Sequence, residues 1–138
     1  DYQLHLAASD TYLAAHAPIT QVEDLKGHRV VGYIQDMIFD KELDYLTEAG
    51  LQDVARTSNS ASVQLNWIRQ GAGIGIAHDF ALPAYPGLSK VLAGEISITR
   101  SFYLIRHADD RRLDRLNRFA EALRSGLRAE IARLENGS

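Results

Sequence analysis

Between Arg29 and Ala77 the sequence switches repeatedly between short apolar or β-branched runs and stretches of helical periodicity. That alternation limits the architectures open to it. Arg29–Ile34 is a β-branched and aromatic run of strand type. Asp40 then opens a helix with Leu43, Leu46 and Ala49 on one side, and Gly50 is its natural C-terminal stop. Gln52–Thr57 reads as a second strand. Ser58, Asn59 and Ser60 are all good N-cap types. The helix they introduce carries Val63, Leu65, Trp67 and Ile68 to a stop at Gly71. Gly73–Ala77 is a short, wholly apolar strand. The order strand, helix, strand, helix, strand implies a small α/β lobe with a parallel sheet.

The flanks read differently. Tyr2–Ala8 alternates (Tyr2, Leu4, Leu6 against Gln3, His5) as a half-buried strand does. Thr11–His16 is a short helical piece stopped by Pro18, and Val22–Leu25 is a turn closed by Gly27. After a loop at Pro83–Gly87, Ile96–Arg106 reads as one long strand with apolar residues on both faces. Asp109 and Asp110 cap a final helix running to about Glu135. Its stripe is Leu113, Leu116, Phe119, Ala120, Leu123, Leu127, Ile131 and Leu134, a 3.6-residue period. The compact lobe is expected over residues 25–95. The long strand and helix need another sheet to pack on, and the opening strand alone supplies too little. Residues 1–24 and 96–135 are therefore expected to form part of a second, incomplete lobe.

Composition narrows the function. With 138 residues, 46% of them hydrophobic, the chain can bury the core of one ordinary domain. A net charge of -3 gives no general attraction to nucleic acid, so any DNA contact is expected from elsewhere. The absence of cysteine excludes disulfides, thiolate metal sites and a Cys nucleophile, and it fits a reducing cytoplasm. No apolar run reaches the roughly 18 residues of a membrane span. The start at Asp1 reads as an internal point of a longer polypeptide. His5, His16, His28, His78 and His107 are scattered without ligand-like spacing, so no metal is expected. Neither G-x-S-x-G nor H-E-x-x-H occurs, and no catalytic set is visible. Gly71-Ala72-Gly73-Ile74-Gly75 is not a dinucleotide fingerprint, because residue 76 is Ile and the glycines leave a helix to enter a strand. A helix C-cap and close strand packing account for them, and no cofactor is expected. The terminal helix region has seven Arg and six acidic residues between Asp109 and Glu135, an ion-paired solvent face.

Candidate binding residues cluster at strand ends. Thr57, Ser58, Asn59 and Ser60 stand where a strand gives way to a helix. Free amides and the helix dipole there suit a small anion, and open α/β sheets bind ligands at such ends. Plain capping explains the same residues. Tyr33 and Ile34 follow the first strand of the lobe and should face the same crevice. Tyr33 can stack on a ligand or serve as a rim residue of the core. His78 and Asp79, at another strand end, form an acid/base pair or start a short helix, with His78 a polar pocket contact.

The segment Asp24-Leu25-Lys26-Gly27-His28-Arg29-Val30-Val31-Gly32-Tyr33 resembles the "DL-x-G-x-x-x-I-x-y" segment of LysR-type sensing domains. Ser58-Asn59-Ser60, Val63 and Gly71-Ala72-Gly73-Ile74-Gly75-Ile76-Ala77 are similar to the family's "s-n-s…v-x-x-G-x-G-I-a" block. Leu88–Leu92, the strand Ser97–Ile105 and the terminal helix match its ending, so the resemblance covers nearly the whole chain. It implies a two-lobe fold like type 2 periplasmic binding proteins. It also implies a cytoplasmic homo-oligomer that binds a small-molecule effector between its lobes and is not an enzyme. DNA would be contacted only through an N-terminal winged helix-turn-helix absent from this sequence. The effector residues implied are Tyr33, Ile34, Thr57, Ser58, Asn59, Ser60 and His78. One departure is that His78, Asp79 and Phe80 stand where the family often has an early Pro. A secreted solute-binding protein of the same fold, or an enzyme built on it, are the rival readings.

Overall fold

The computed structural model describes residues 1–38, 44–51 and 54–137. Its framework is a six-stranded sheet of order β3-β2-β4-β1-β5, with β6 also paired to β1. The strands are β1 (Tyr2–Ser9), β2 (Val30–Gly32), β3 (Val54–Thr57), β4 (Ile74–His78), β5 (Leu88–Lys90) and β6 (Ser97–Arg100). The helices are α1 (Asp10–Ala15), α2 (Tyr45–Glu48), α3 (Ala61–Arg69) and α4 (Asp114–Asn136). Single 3-10 turns cover Val22–Gly27, Gln35–Met37, Asp79–Ala84 and Ala108–Arg112.

The parallel lobe forms as its alternating pattern implies. β2 runs parallel to β3 and to β4, with Gly32 opposite Thr57 and Val31 opposite Gly75. α3 begins at Ser60, whose hydroxyl accepts from the Val63 amide, and ends before Gly71, which takes φ +75° as a C-terminal stop does. Gly75 must lack a side chain. A Cβ there would meet the Val31 carbonyl oxygen at 2.7 Å and Ile68 of α3 at 2.8 Å. Asp40 and Leu43, expected in the first helix, and Gln52, expected to open β3, lie outside the described residues.

β1 takes the middle of this sheet. Its edges pair antiparallel with β4 on one side and with β5 and β6 on the other. Tyr2, Leu4, Leu6 and Ala8 point into the larger core, with Tyr12, Leu25, Tyr45, Leu46, Ile74, Ile76 and Ile98. Ala7, on the opposite face, packs with Ala77, Leu65 and Leu82. The opening strand and residues 25–95 thus share one sheet, where the sequence suggested separate lobes.

The C-terminal third departs from expectation in three respects. The strand read as Ile96–Arg106 ends at Arg100. Its ladder on β1 stops at the pair Tyr2–Arg100, and beyond it no described strand offers a partner. Phe102, Tyr103, Leu104 and Ile105 are 52%, 73%, 51% and 89% exposed. Asp109 and Asp110 lie in the 3-10 turn rather than capping the final helix, which starts at Asp114 behind Leu113 with no side-chain cap. The apolar stripe of α4 forms, but only Ile131 is buried, while Phe119 is 65% and Leu123 45% exposed. α4 is held at its far end, where Glu135 accepts a 2.7 Å hydrogen bond from the Gln3 amide.

This bare stripe and the 101–105 segment form one apolar surface around a groove of about 440 Å³ lined by Phe102, Tyr103, Leu104, Leu123, Leu127 and Ile131. Apolar surface of this kind seeks cover. The isolated chain is expected to self-associate in sedimentation velocity, and Leu123→Glu with Leu127→Glu to shift it toward monomer. A monodisperse wild-type monomer would contradict this.

Candidate functional site

Strand direction assembles the site. β2, β3 and β4 are mutually parallel, and β4 and β6 both run opposite to β1. The carboxyl ends of β2, β3, β4 and β6 therefore meet at one edge of the sheet. Tyr33 follows β2 there, Thr57 and Ser58 close β3, His78 closes β4 and Arg100 closes β6. Open α/β sheets bind ligands at that edge.

The loop into α3 is tied down by its own backbone. The Ser58 amide donates to the Gly32 carbonyl at 2.9 Å, which fixes the two strand ends side by side. The Ser58 hydroxyl accepts from the Ser60 amide at 3.1 Å, and the Ser60 hydroxyl from the Val63 amide at 3.5 Å. The buried Gln64 amide group donates to the Ser58 carbonyl at 2.6 Å. Ser58 and Ser60 are thus half-buried capping residues, whereas Thr57 and Asn59 are exposed. Among the described residues, Asn59 makes only a 4.0 Å contact to the Met37 sulfur. Ile34, half-buried, precedes the 3-10 turn Gln35–Met37.

A file of rings continues from this loop across the sheet. Tyr33 lies edge-on to Tyr45 with centroids 6.0 Å apart, and Tyr45 edge-on to His78 at 6.2 Å. His78 stacks on Tyr2 at 5.6 Å, and Tyr2 stacks on Phe102 at 4.5 Å. Phe80 packs against both Tyr2 and His78. The Arg100 guanidinium sits 5.5 Å from the centre of the Tyr45 ring and is ion-paired with Glu48. Burial raises the Tyr33 and Tyr45 hydroxyl pKa values, Tyr45 far above its ordinary range. Burial also holds His78 below the ordinary imidazole value, against the opposing pull of the Asp79 charge. Of the sequence-derived residues, the structure brings Tyr33, Ser58 and His78 to one edge. Tyr2, Tyr45, Phe80, Phe102 and Arg100 join them unannounced, because only strand register brings them there.

His78 and Asp79 are not a pair. Adjacent residues leaving a strand point to opposite faces. Asp79 is buried on the other side, where both carboxylate oxygens meet His5 Nδ1 at 2.8 and 2.9 Å and one accepts from Lys90 Nζ at 2.8 Å. This network joins β1, the end of β4 and β5. Two further grooves also lie away from the strand ends, one of about 350 Å³ beside Leu25, His28 and Leu51, one of about 360 Å³ beside Leu82, Tyr85 and Lys90.

Two predictions follow from the buried polar groups. His28 is 8% exposed, accepts from or donates to the Tyr12 hydroxyl at 3.1 Å, and like His78 has its pKa lowered chiefly by burial. Both fold as neutral imidazoles, so the unfolded chain takes up protons first. Their contribution is whole above the ordinary value of 6.5 and is lost as the pH falls from there toward the depressed folded values. Thermal melts between about pH 8 and 5 should show this loss, and His28→Gln should flatten the profile; an unchanged slope would refute the assignment. Separately, Asp79→Ala removes the acceptor shared by His5 and Lys90 and leaves the Lys90 ammonium beside a buried gap, and urea unfolding should show a loss of about 2–3 kcal/mol. That lies at or below the range for fully buried pairs because Lys90 can turn to water.

The LysR substrate binding domain model matches residues 1–128. The fold is similar to the regulatory domain of CrgA from Neisseria meningitidis, at 20% identity and a TM-score of 0.63, over 96% of this chain and 65% of that one. It is also similar to the regulatory domain of AphB from Vibrio vulnificus, at 21% identity and a TM-score of 0.55, over 71% of this chain and 51% of that one. An OxyR mutant from Corynebacterium glutamicum matches at 12% identity and a TM-score of 0.56, over 99% and 45%. The chain thus spans between 45% and 65% of the length of these solved structures. No curated protein sequence matches it. The mixed sheet, its periplasmic-binding-protein-like architecture and the matched model lead to one assignment: the chain belongs to the LysR substrate-binding domain family, the effector-binding regulatory domains of LysR-type transcriptional regulators.

Proposed function

We propose that this chain senses a small anionic metabolite at the edge where β2, β3, β4 and β6 end, and reports its presence to a DNA-binding region of the same polypeptide. The observation carrying this reading is that convergence. Four strand ends present hydroxyls, an amide side chain, a helix start, an imidazole and an arginine within one stretch of sheet edge. Tyr33, Ile34, Thr57, Ser58, Asn59, Ser60 and His78 form the ligand-facing set, with the effector closed in by a second lobe. β1 and the 101–105 segment lead toward that lobe, and the bare stripe of α4 is a face it would cover. A ligand shifts such a molecule only by binding one arrangement of lobes or protomers better than the other. The domain acts within a homo-oligomer, and the operator is gripped by regions outside this chain.

Capping and ligand contact separate by mutation. Ser60→Ala should cost about 1 kcal/mol of stability, as loss of an N-cap does. Asn59→Ala, which removes no cap, should leave the melting temperature unchanged and weaken binding. The measurement is calorimetry on the full-length protein with a panel of small carboxylates, beside Tyr33→Phe. Affinities equal to wild type in Asn59→Ala and Tyr33→Phe would move the pocket elsewhere.

A further inference from the structure

We infer that His28, Tyr12 and His16 form an acid-released latch, which holds α1 against the start of β2 at neutral pH and lets it go when the His28 imidazole takes a proton. The latch lies at the far edge of the sheet from the proposed ligand site. β1 runs opposite to β4, so the end of β1, where α1 begins, and the start of β2, which His28 precedes, share that edge. Tyr12 of α1 is 2% exposed and His28 8%. The Tyr12 hydroxyl accepts from the Arg29 amide at 3.3 Å and lies 3.1 Å from His28 Nδ1. His16, just past the end of α1, donates from Nδ1 to the Tyr12 carbonyl at 2.8 Å and stacks on the Tyr12 ring with centroids 3.8 Å apart. The centroids of the two imidazoles are 6.1 Å apart.

These bonds fix the tautomer of His28. Its ring also hydrogen-bonds the Ala17 backbone, in a contact that favours the charged ring. Such a bond has the ring N–H donating to the carbonyl. A neutral imidazole has one N–H, so Nδ1 is left to accept from the Tyr12 hydroxyl. A proton added at Nδ1 turns that acceptor into a donor. Among the described residues the buried Tyr12 O–H has no other acceptor, so a charged latch that stays closed keeps an unpaired donor. Burial and, after it, the neighbouring His16 also oppose the charge. Asp24, in the 22–27 turn, favours it, but the Asp24 carboxylate is engaged by Thr20 and Gln21. Glu23 and Lys26, of opposite charge, line the groove beside His28. Once α1 swings away, His28 meets water and titrates near its ordinary 6.5. Acid therefore favours the open form. Release frees residues 11–21, the connection from β1 to β2, and leaves the strand ladders intact, because no pairing passes through that connection.

The test needs no ligand. It is amide hydrogen exchange on the full-length protein between about pH 7.5 and 5.5, with rates corrected for intrinsic chemistry. Protection of residues 11–17 should fall below pH 6.5 by up to about tenfold per pH unit, the effect of one proton, while β1 and β4 keep theirs. His28→Gln should abolish this pH dependence. Tyr12→Phe should lower the protection of 11–17 at neutral pH and reduce its pH dependence, since the closed form then holds no hydroxyl that opposes the proton. That variant decides the matter if His28→Gln does not fold. Protection constant across the range in wild type, or falling as steeply in His28→Gln or Tyr12→Phe as in wild type, would overturn the inference. An equal loss of protection in β1 and β4 would also overturn it, because the acid response would then be global unfolding.

Discussion

The pairing of β1 along both of its edges is the constraint on which the other parts depend. An extended segment with Leu4, Leu6, Ala7 and Ala8 wholly buried cannot leave its backbone amides without partners. β4 satisfies one edge, and β5 and β6 share the other. Because all three run opposite to β1, β4 and β6 deliver their last residues to the same side of the molecule. The small side chains of Ala7 and Ala77 leave that face thin enough for the 79–84 turn to fold back over it. Asp79 then reaches across β1 to His5 and Lys90. The same strand thus anchors the core, aligns the strand ends and carries a buried charge network.

Close approach of backbone elements sets where the loop into α3 sits. Gly75 lets β4 lie against Val31 of β2 and beneath Ile68 of α3 with no intervening side chain. That brings the start of α3 over the ends of β2 and β3, where the Ser58 amide closes on Gly32. Ser58 and Ser60 spend their hydroxyls on the backbone of this loop, which makes it stiff and leaves Asn59 projecting. A rigid backbone carrying one uncommitted polar side chain costs less entropy on binding than a loop that must first be ordered.

The C-terminal helix shows the opposite condition. α4 has the periodicity of a packed helix but buries only Ile131. Its stripe and the exposed 101–105 segment lie together, so the amphipathic pattern is complete while the surface it was patterned for is not in contact. The energetic meaning is direct: each large apolar side chain left in water forfeits about 1.5–3 kcal/mol relative to full burial. An interlobe or intermolecular contact over this face therefore has a substantial drive, and a ligand at the proposed site would stand where such a contact can be read.

What the sequence determined by itself is the local order. The β-branched runs, the Ser60 cap, the Gly71 stop and the 3.6-residue stripe of the last helix are all consequences of energies between near neighbours in the chain. They were legible without any partner, and with the motif order they led to the correct family and α/β architecture. Tertiary structure alone decided register and edge. It ended the last strand at Arg100 because Tyr2 is the last pairing position β1 offers. It paired Asp79 with His5 across 74 residues instead of with its neighbour His78, because side chains leaving a strand alternate in face. It also gathered Tyr2, Tyr45, Phe102 and Arg100 beside His78. Contacts at such separations carry no periodic trace in the sequence, since what selects them is the burial and pairing of whole strands.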